Sequence, residues 1–342
     1  MNTVTNILSH QFVYKLGWTL LHLIWQAAVV SLILTILLRL LRKSSANVRY
    51  LIACLALTLV VILPVATFWL IPAPPSYPAV RAESTSVPPP TADAAQVVAL
   101  APLETSVQAP AIGWKQRAIV SLEPALPYIV TGWLLGVLAL SLWHLGGWTH
   151  LQHLRRRLTK QADASLLQTL STVADRLRVT RPVQLAESAL VQIPTVIGWL
   201  RPVILLPATA LTGLTAQQLE ALLAHELAHI RRGDYLVNML QTVVEILGFY
   251  HPAVWWISSK IRFERENCCD DLAVTTCGNK MHYVRALAEM ERIRSGRGEL
   301  ALAANGSNLS TRIRRLMGNA SAPKPRFNWI AALVTAIVIA AL

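Results

Sequence analysis

The sequence predicts a mainly α-helical integral membrane protein, with about four transmembrane helices and an α+β domain between the third and the fourth. Three observations carry this. The 342 residues are 54% hydrophobic and only 14% charged, with mean hydropathy +0.45, whereas soluble domains carry about a quarter charged residues. The apolar excess is gathered in long runs near 16–38, 50–71, 124–143 and 327–342. Between the last two, residues 148–326 alternate helical and strand-like periodicities.

The net charge of +13 does not point to nucleic acid. The Lys and Arg residues cluster beside apolar runs and form no DNA- or RNA-binding motif, so the lipid bilayer is the expected partner and direct nucleic-acid binding is not. The first run, Leu16 to Leu38, has no basic leader and no small-residue cleavage site, so it is read as a span and not as a signal peptide. Arg39, Arg42, Lys43 and Arg49 follow with no acid among them, which places that loop in the cytoplasm and the N-terminus outside. The second span closes a 1–71 segment. Residues 72–123 are rich in Pro, Ala, Ser and Thr with mixed charges and read as an extended extracytoplasmic loop. The third span, 124–147, is followed by Arg155, Arg156, Arg157 and Lys160, which again mark the inside. Residues 148–326 are then cytoplasmic. The last run, 327–342, is shorter than the ~20 residues a span needs, and is read as a fourth helix cut short at Leu342. The expected location is a bacterial-type cytoplasmic (inner) membrane, crossed several times.

Within the cytoplasmic part, Leu166, Leu167, Leu170, Val173 and Leu177 give a helix over 164–177. Residues 183–206 read as strands, with a hairpin over Pro194–Pro207 whose open edge could hold an extended peptide by strand addition. A plain structural hairpin reads equally well. Thr215 and Gln218 form a capping box ahead of Leu219, Leu222 and Leu223, and Gly233 supplies a stop. That helix carries His225-Glu-Leu-Ala-His229. Residues four apart lie about 40° apart around a helix, so both imidazoles can face one tetrahedral Zn²⁺ while Glu226 reaches a water. This is the H-E-x-x-H pattern of zinc metallopeptidases.

A catalytic zinc needs a third protein ligand. The candidates downstream are His251 and the acidic helix 262–271, where Glu266 and Asp270 share a face and Glu264 points elsewhere. Glu266 can ligate while Asp270 orients a ligand histidine; Asp234 reads as a helix-end or supporting partner. The apolar stretch 235–261 has the length of a span, but His229 and Glu266 must meet on one metal. It therefore crosses zero times or twice, and twice needs about double this length. It is read as a helical hairpin lying on or dipping into the membrane, with Asn238, Gln241 and Glu245 on its protein side. Cys54 falls in a span, and no disulfide framework is visible. Cys268 and Cys269, adjacent on a helix, point about 100° apart and read as packing residues. Tyr235, Tyr250 and His251 are candidate oxyanion donors. Helix 309–317 reads as an amphipathic surface helix, and Arg294 and Arg297 beside Gly296 and Gly298 mark a candidate self-cleavage loop.

HELAHIRRGD (His225–Asp234), HPAVWW (His251–Trp256), RENCCDD (Arg265–Asp271) and the upstream Ile193–Pro207 resemble the membrane metallopeptidases typified by the BlaR and MecR antibiotic sensor-transducers. The likeness is specific over 190–275 and looser over the rest of 10–342. It implies a gluzincin domain with His225, His229 and Glu266 on Zn²⁺ and Glu226 as catalytic base. It also implies a regulated endopeptidase that cuts a cytoplasmic protein, typically a transcriptional repressor. The sensor-transducers carry a penicillin-binding domain after the fourth span; here the chain ends at Leu342. A housekeeping membrane protease of the HtpX kind and a non-catalytic zinc-containing membrane sensor are the alternatives, and self-association as a homodimer is left open.

Overall fold

The computed structural model describes residues 10–72, 121–157, 160–188, 191, 193–295 and 302–318. The Pro-rich loop, apart from its two ends, lies outside the described residues. The fourth apolar run and the glycines of the candidate self-cleavage loop lie outside them as well.

Three helices are long and apolar enough to cross a membrane. Helix α1 (His10–Leu40) passes through a 3-10 turn into α2 (Ala46–Leu70), which Ser45 caps by accepting the Val48 N–H. Helix α3 (Leu126–Arg157) runs on through the basic block instead of ending near Trp143. Nothing between Trp143 and Arg157 forces a break: there is no proline, and Gly146-Gly147 is tolerated in a helix at modest cost. Leu51, Leu55, Leu59 and Ile62 of α2, and Leu134, Leu135, Leu138 and Leu142 of α3, face outward, as the lipid-facing side of a membrane helix does.

The α+β part begins with β1 (Lys160–Gln161) and α4 (Ala164–Arg176). Next come β2 (Gln184–Ser188), β3 (Thr195–Ile197) and β4 (Val203–Pro207). The sheet order is β1-β2-β4-β3. Strand β4 is central, wholly buried, parallel to β2 and antiparallel to β3. The expected hairpin is therefore present, and β3 is an edge strand. Five helices follow: α5 (Ala208–Gly213), α6 (Ala216–Arg232), α7 (Asp234–Leu247), α8 (Pro252–Cys277) and α9 (Lys280–Ser295). The last described helix is α10 (Leu302–Leu316).

Helices α7 and α8 form the hairpin expected for 235–261. Its interior is polar: Gln241 donates to Ser258, and Ser258 and Arg262 both donate to Glu245. Gln241 and Glu245 are buried, as expected; Asn238 instead lies on the exposed side, where its amide oxygen accepts from Arg265. The hairpin tip inserts between α1 and α3. Tyr250 Oη donates to the Leu20 carbonyl, His251 Nε2 to the Ile24 carbonyl, and Trp133 Nε1 to the Leu247 carbonyl. Phe249 packs on Gly136, where a Cβ would lie 2.3 Å from the ring. Ile24 lies fifteen residues before Arg39, about 22 Å along a helix at 1.5 Å per residue. The tip thus packs well along two of the helices that are long and apolar enough to cross a membrane.

Two large apolar cores result among the described residues, beside a small third of Ile197, Val203 and Leu205. One joins α1, α2 and the first half of α8, through Ala27, Leu34, Ala53, Ile257 and Ile261. The other joins α4, the sheet, α6, α9 and α10, through Val173, Ile204, Leu223, Leu227 and Tyr283. Helix α8 contributes to both, Cys268 to the first and Ala273 to the second.

The basic end of α2 is pinned to α8. Arg49 donates from Nε and Nη2 to the two oxygens of Glu264 at 3.0 and 2.9 Å, and Asn267 donates to the same carboxylate. Only 9% of the Glu264 side chain is exposed. Removing one partner strands the other charge, so Arg49→Ala is expected to cost about 3 kcal/mol. Adding Glu264→Gln should recover part of that loss. Denaturant titration in detergent checks this; an Arg49→Ala variant as stable as the wild type would show that the pair holds nothing.

Candidate metal centre

Helix α6 starts as its sequence requires. Thr215 Oγ1 accepts the Gln218 N–H, and Gln218 Oε1 accepts the Thr215 N–H. It ends at Gly233, in the left-handed region (φ 69°), which also opens α7. That glycine turns the chain so that Asp234 follows the HELAH segment by one turn. Residues Ala221 to Ala228 are buried on every side, so the imidazoles sit inside the fold.

Helix α8 crosses α6 and carries Glu266 to both rings. His225 Nε2 lies 3.4 Å from Glu266 Oε2, and His229 Nε2 lies 3.7 Å from Oε1. The ring centroids are 4.8 Å apart and nearly perpendicular, at 87°. His225, His229 and Glu266 thus offer three ligand atoms within 4.8 Å of one another.

The partners of the other two nitrogens define the tautomers. His229 Nδ1 is 2.8 Å from Asp234 Oδ2. An ionised carboxylate only accepts, so Nδ1 carries a proton, and in the neutral ring Nε2 carries a lone pair. For His225 the argument runs through Tyr283. Its hydroxyl donates its single proton to Asp270 Oδ1 at 2.6 Å, so it can only accept from His225 Nδ1 at 2.9 Å. Nε2 of His225 is again a lone-pair atom. In their neutral forms both rings therefore turn an Nε2 lone pair toward a Glu266 oxygen. Three such groups converging in a partly buried site suit a bound cation; without one, protonated rings and the Arg312 guanidinium balance the Glu266 charge. Zinc bonded at ~2.0–2.1 Å in a tetrahedron spaces its ligand atoms about 3.4 Å apart, and the observed spacings fit.

A second cluster, His229 Nδ1, Asp234 and Cys269, does not fit in this way. The 2.8 Å N–O contact is a hydrogen bond, and the Cys269 thiol donates to Asp234 at 3.4 Å. The two cysteines do diverge: Cys269 supports the His229–Asp234 pair, and Cys268 packs with the membrane helices.

Glu226 is buried and lines a cleft of about 600 Å³ beside the two histidines. Among the described residues, no hydrogen bond or ion pair engages its carboxylate, so its oxygens are available. The cleft wall opposite is Pro194, Thr195 and Val196 of the edge-strand segment. Of the suggested oxyanion donors only Tyr235 borders the cleft. The Tyr250 and His251 donors are spent on carbonyls of α1, because the hairpin tip needs them there.

Helix α10 departs most from expectation. It is no free surface helix: Leu316 is buried, and Leu309 and Ile313 pack on the core. Arg312 donates to both oxygens of Asp270, at 2.9 and 2.5 Å, and its Nη1 is 3.2 Å from Glu266 Oε2. Arg315 pairs with Asp271 and donates to the Asn267 carbonyl. Asp270 has 0% exposure, and Arg312 neutralises it. Asp270 therefore reaches His225 chiefly through Tyr283, the direct contact being 3.5 Å. The spacing 309, 312, 313, 316 places Arg312 on the apolar face of its helix, a signal readable in the sequence; Tyr283 carries none.

Electrostatics follow the contacts. Burial lifts the Glu266 carboxyl, but His225, His229 and Arg312 outweigh it and hold the group well below the usual carboxylate range. Burial lowers His229, yet Asp234, Glu266 and Glu226 raise it overall. Burial and Asp270 push the Tyr283 phenol far up, so it remains a proton donor.

Known proteins resemble this chain. The Regulatory protein BlaR1 of Bacillus licheniformis is 26% identical over 241 residues, 68% of this chain and 40% of that protein. The methicillin resistance mecR1 protein of Staphylococcus aureus is 22% identical over 154 residues, 43% of this chain and 26% of that one. The matched segments thus span less than half of either relative. The model of the BlaR1 peptidase family M56 matches residues 18–317, which take in α2 to α9, the cleft and Arg312, and the chain therefore belongs to that family of membrane peptidases.

Proposed function

We propose that this chain is a membrane-embedded zinc endopeptidase that cuts a cytoplasmic protein, as part of a signalling pathway whose substrate is a transcriptional repressor. His225, His229 and Glu266 are its metal ligands and Glu226 its catalytic base. Asp234 and the Asp270–Tyr283 pair hold the two imidazoles. The observation that carries this reading is the convergence of the two Nε2 atoms on the two Glu266 oxygens. Zinc held there would lower the pKa of a water toward ~7 and polarise a scissile carbonyl.

The chain's own groups do the rest. Glu226 accepts the proton of the attacking water and passes it to the leaving amine. Edge strand β3, whose outer side has no strand partner among the described residues, takes the substrate backbone in extended form. Tyr235, on the cleft wall, is the remaining candidate to donate to the developing oxyanion.

Residues Ser44 to Tyr50 support a cytoplasmic site. This basic turn obeys the positive-inside rule, and it touches α6 and α8 through Asn47 and Arg49. The turn and the metal ligands therefore share one side of the membrane helices, with the N-terminus opposite. The repressor substrate draws on the relatives named above, one a regulatory protein and the other a methicillin resistance protein by name.

Glu226→Gln should keep stoichiometric zinc and lower cleavage by about 10³-fold, while a chelator should abolish both. Comparative proteomics of wild type and Glu226→Gln cells should show one stabilised cytoplasmic protein. Many stabilised membrane proteins would point to housekeeping proteolysis, and none to a non-catalytic protein. Tyr283→Phe keeps the ring but removes the bridge from Asp270 to His225. It should weaken zinc binding about 10-fold, measured by competition with a chromogenic chelator; unchanged affinity would remove Tyr283 from the site.

A further inference from the structure

We infer that Arg232 is a positioning residue for His229, and that the N-terminal end of α2 sets its position. The inference rests on the metal-site reading above. Arg232 closes α6, three residues after His229. Its guanidinium lies over the Tyr50 ring, 4.7 Å from the centroid, and Nη1 donates to Asn47 Oδ1 at 3.1 Å. Both partners lie within the first five residues of α2. Its Nε faces Asp234 Oδ1 at 3.4 Å, while Asp234 Oδ2 accepts from His229 Nδ1.

Arg232 Nε and Asp234 Oδ1 are both buried, and neither has a well-formed hydrogen bond among the described residues. The contact is an ion pair short of hydrogen-bond geometry. A guanidinium is planar, so the ring face and the Asn47 amide define its plane. That plane decides which way Nε points, and hence where the Asp234 carboxylate rests. The carboxylate in turn sets the ring angle and basicity of His229. The chain Tyr50–Arg232–Asp234–His229 thus runs from a membrane helix to a metal ligand through packed groups.

A second tie joins the same helix end to α8, the Arg49–Glu264 pair, and it does not touch Asp234 or either histidine. It supplies the control. Full-length protein in detergent would be loaded with Co²⁺ in place of zinc and compared with Tyr50→Leu, Arg232→Gln, Arg232→Lys and Arg49→Ala. Tyr50→Leu and Arg232→Gln should shift the visible Co²⁺ bands and weaken metal binding about 10-fold. Arg232→Lys should recover affinity only in part, because it keeps the charge and loses the plane. Arg49→Ala should lower stability while leaving the bands and affinity as in wild type. If Arg232→Gln leaves both unchanged, or if Arg49→Ala alters them equally, the inference fails while the metal site stands. A wild type that takes up no stoichiometric metal would overturn both.

Discussion

Three acceptor groups turned toward one point are the constraint on which the rest of this structure depends. Two neutral imidazoles and a carboxylate, turned together with neither a metal nor a ring proton between them, repel, and in a partly buried site that repulsion is poorly screened. The fold holds them together by force of packing elsewhere. Helix α6 is buried around its whole circumference from Ala221 to Ala228, so neither histidine can swing away. Helix α8 is anchored at both ends, in the membrane-helix core by Ile257 and Ile261 and in the α+β core by Ala273. Glu266 lies between those anchors.

The groups behind the ligands extend this logic. Each imidazole has its Nδ1 engaged, by Asp234 in one case and by Tyr283 with Asp270 in the other. Neither ring can change tautomer without breaking a buried hydrogen bond, a loss of about 1–3 kcal/mol. Each supporting carboxylate is in turn faced by an arginine that ties it to a distant segment: Asp234 by the neighbouring Arg232, packed on α2, and Asp270 by Arg312 of α10. The ligand geometry is therefore underwritten by two segments remote in sequence.

Much of this was legible in the sequence because it is local. The capping box at Thr215, the stop at Gly233 and the facing of His225 and His229 follow from residues within one helix. The exclusion of a single membrane crossing over 235–261 was also legible, since it needs only the condition that His229 meets Glu266. What escaped was non-local. Tyr250 and His251 looked like catalytic donors because each carries a proton near an apolar turn. Their acceptors, the carbonyls of Leu20 and Ile24, are some 230 residues away, and no pattern announces such a pairing. Tyr283 was invisible for the same reason. Arg312 was not: an arginine among Leu309, Ile313 and Leu316 on one face has to find a buried acid.

The depth of the α7–α8 hairpin follows from the same need to hold α8 still. A short amphipathic pair resting on the surface would leave α8 tethered at one end. Insertion of the tip to the level of Ile24 places Phe249, Tyr250 and His251 between α1 and α3, where aromatic packing and three hydrogen bonds fix it. The cost is a polar interior at that depth, and the hairpin meets it internally, with Glu245 accepting from Ser258 and Arg262 while Gln241 spans the pair. A charged group there is tolerable only when paired. The apolar faces of Met239, Leu240, Val243 and Leu247 then look outward. The hairpin is thus built as a wedge: its tip is fixed to α1 and α3, and its second helix carries Glu266.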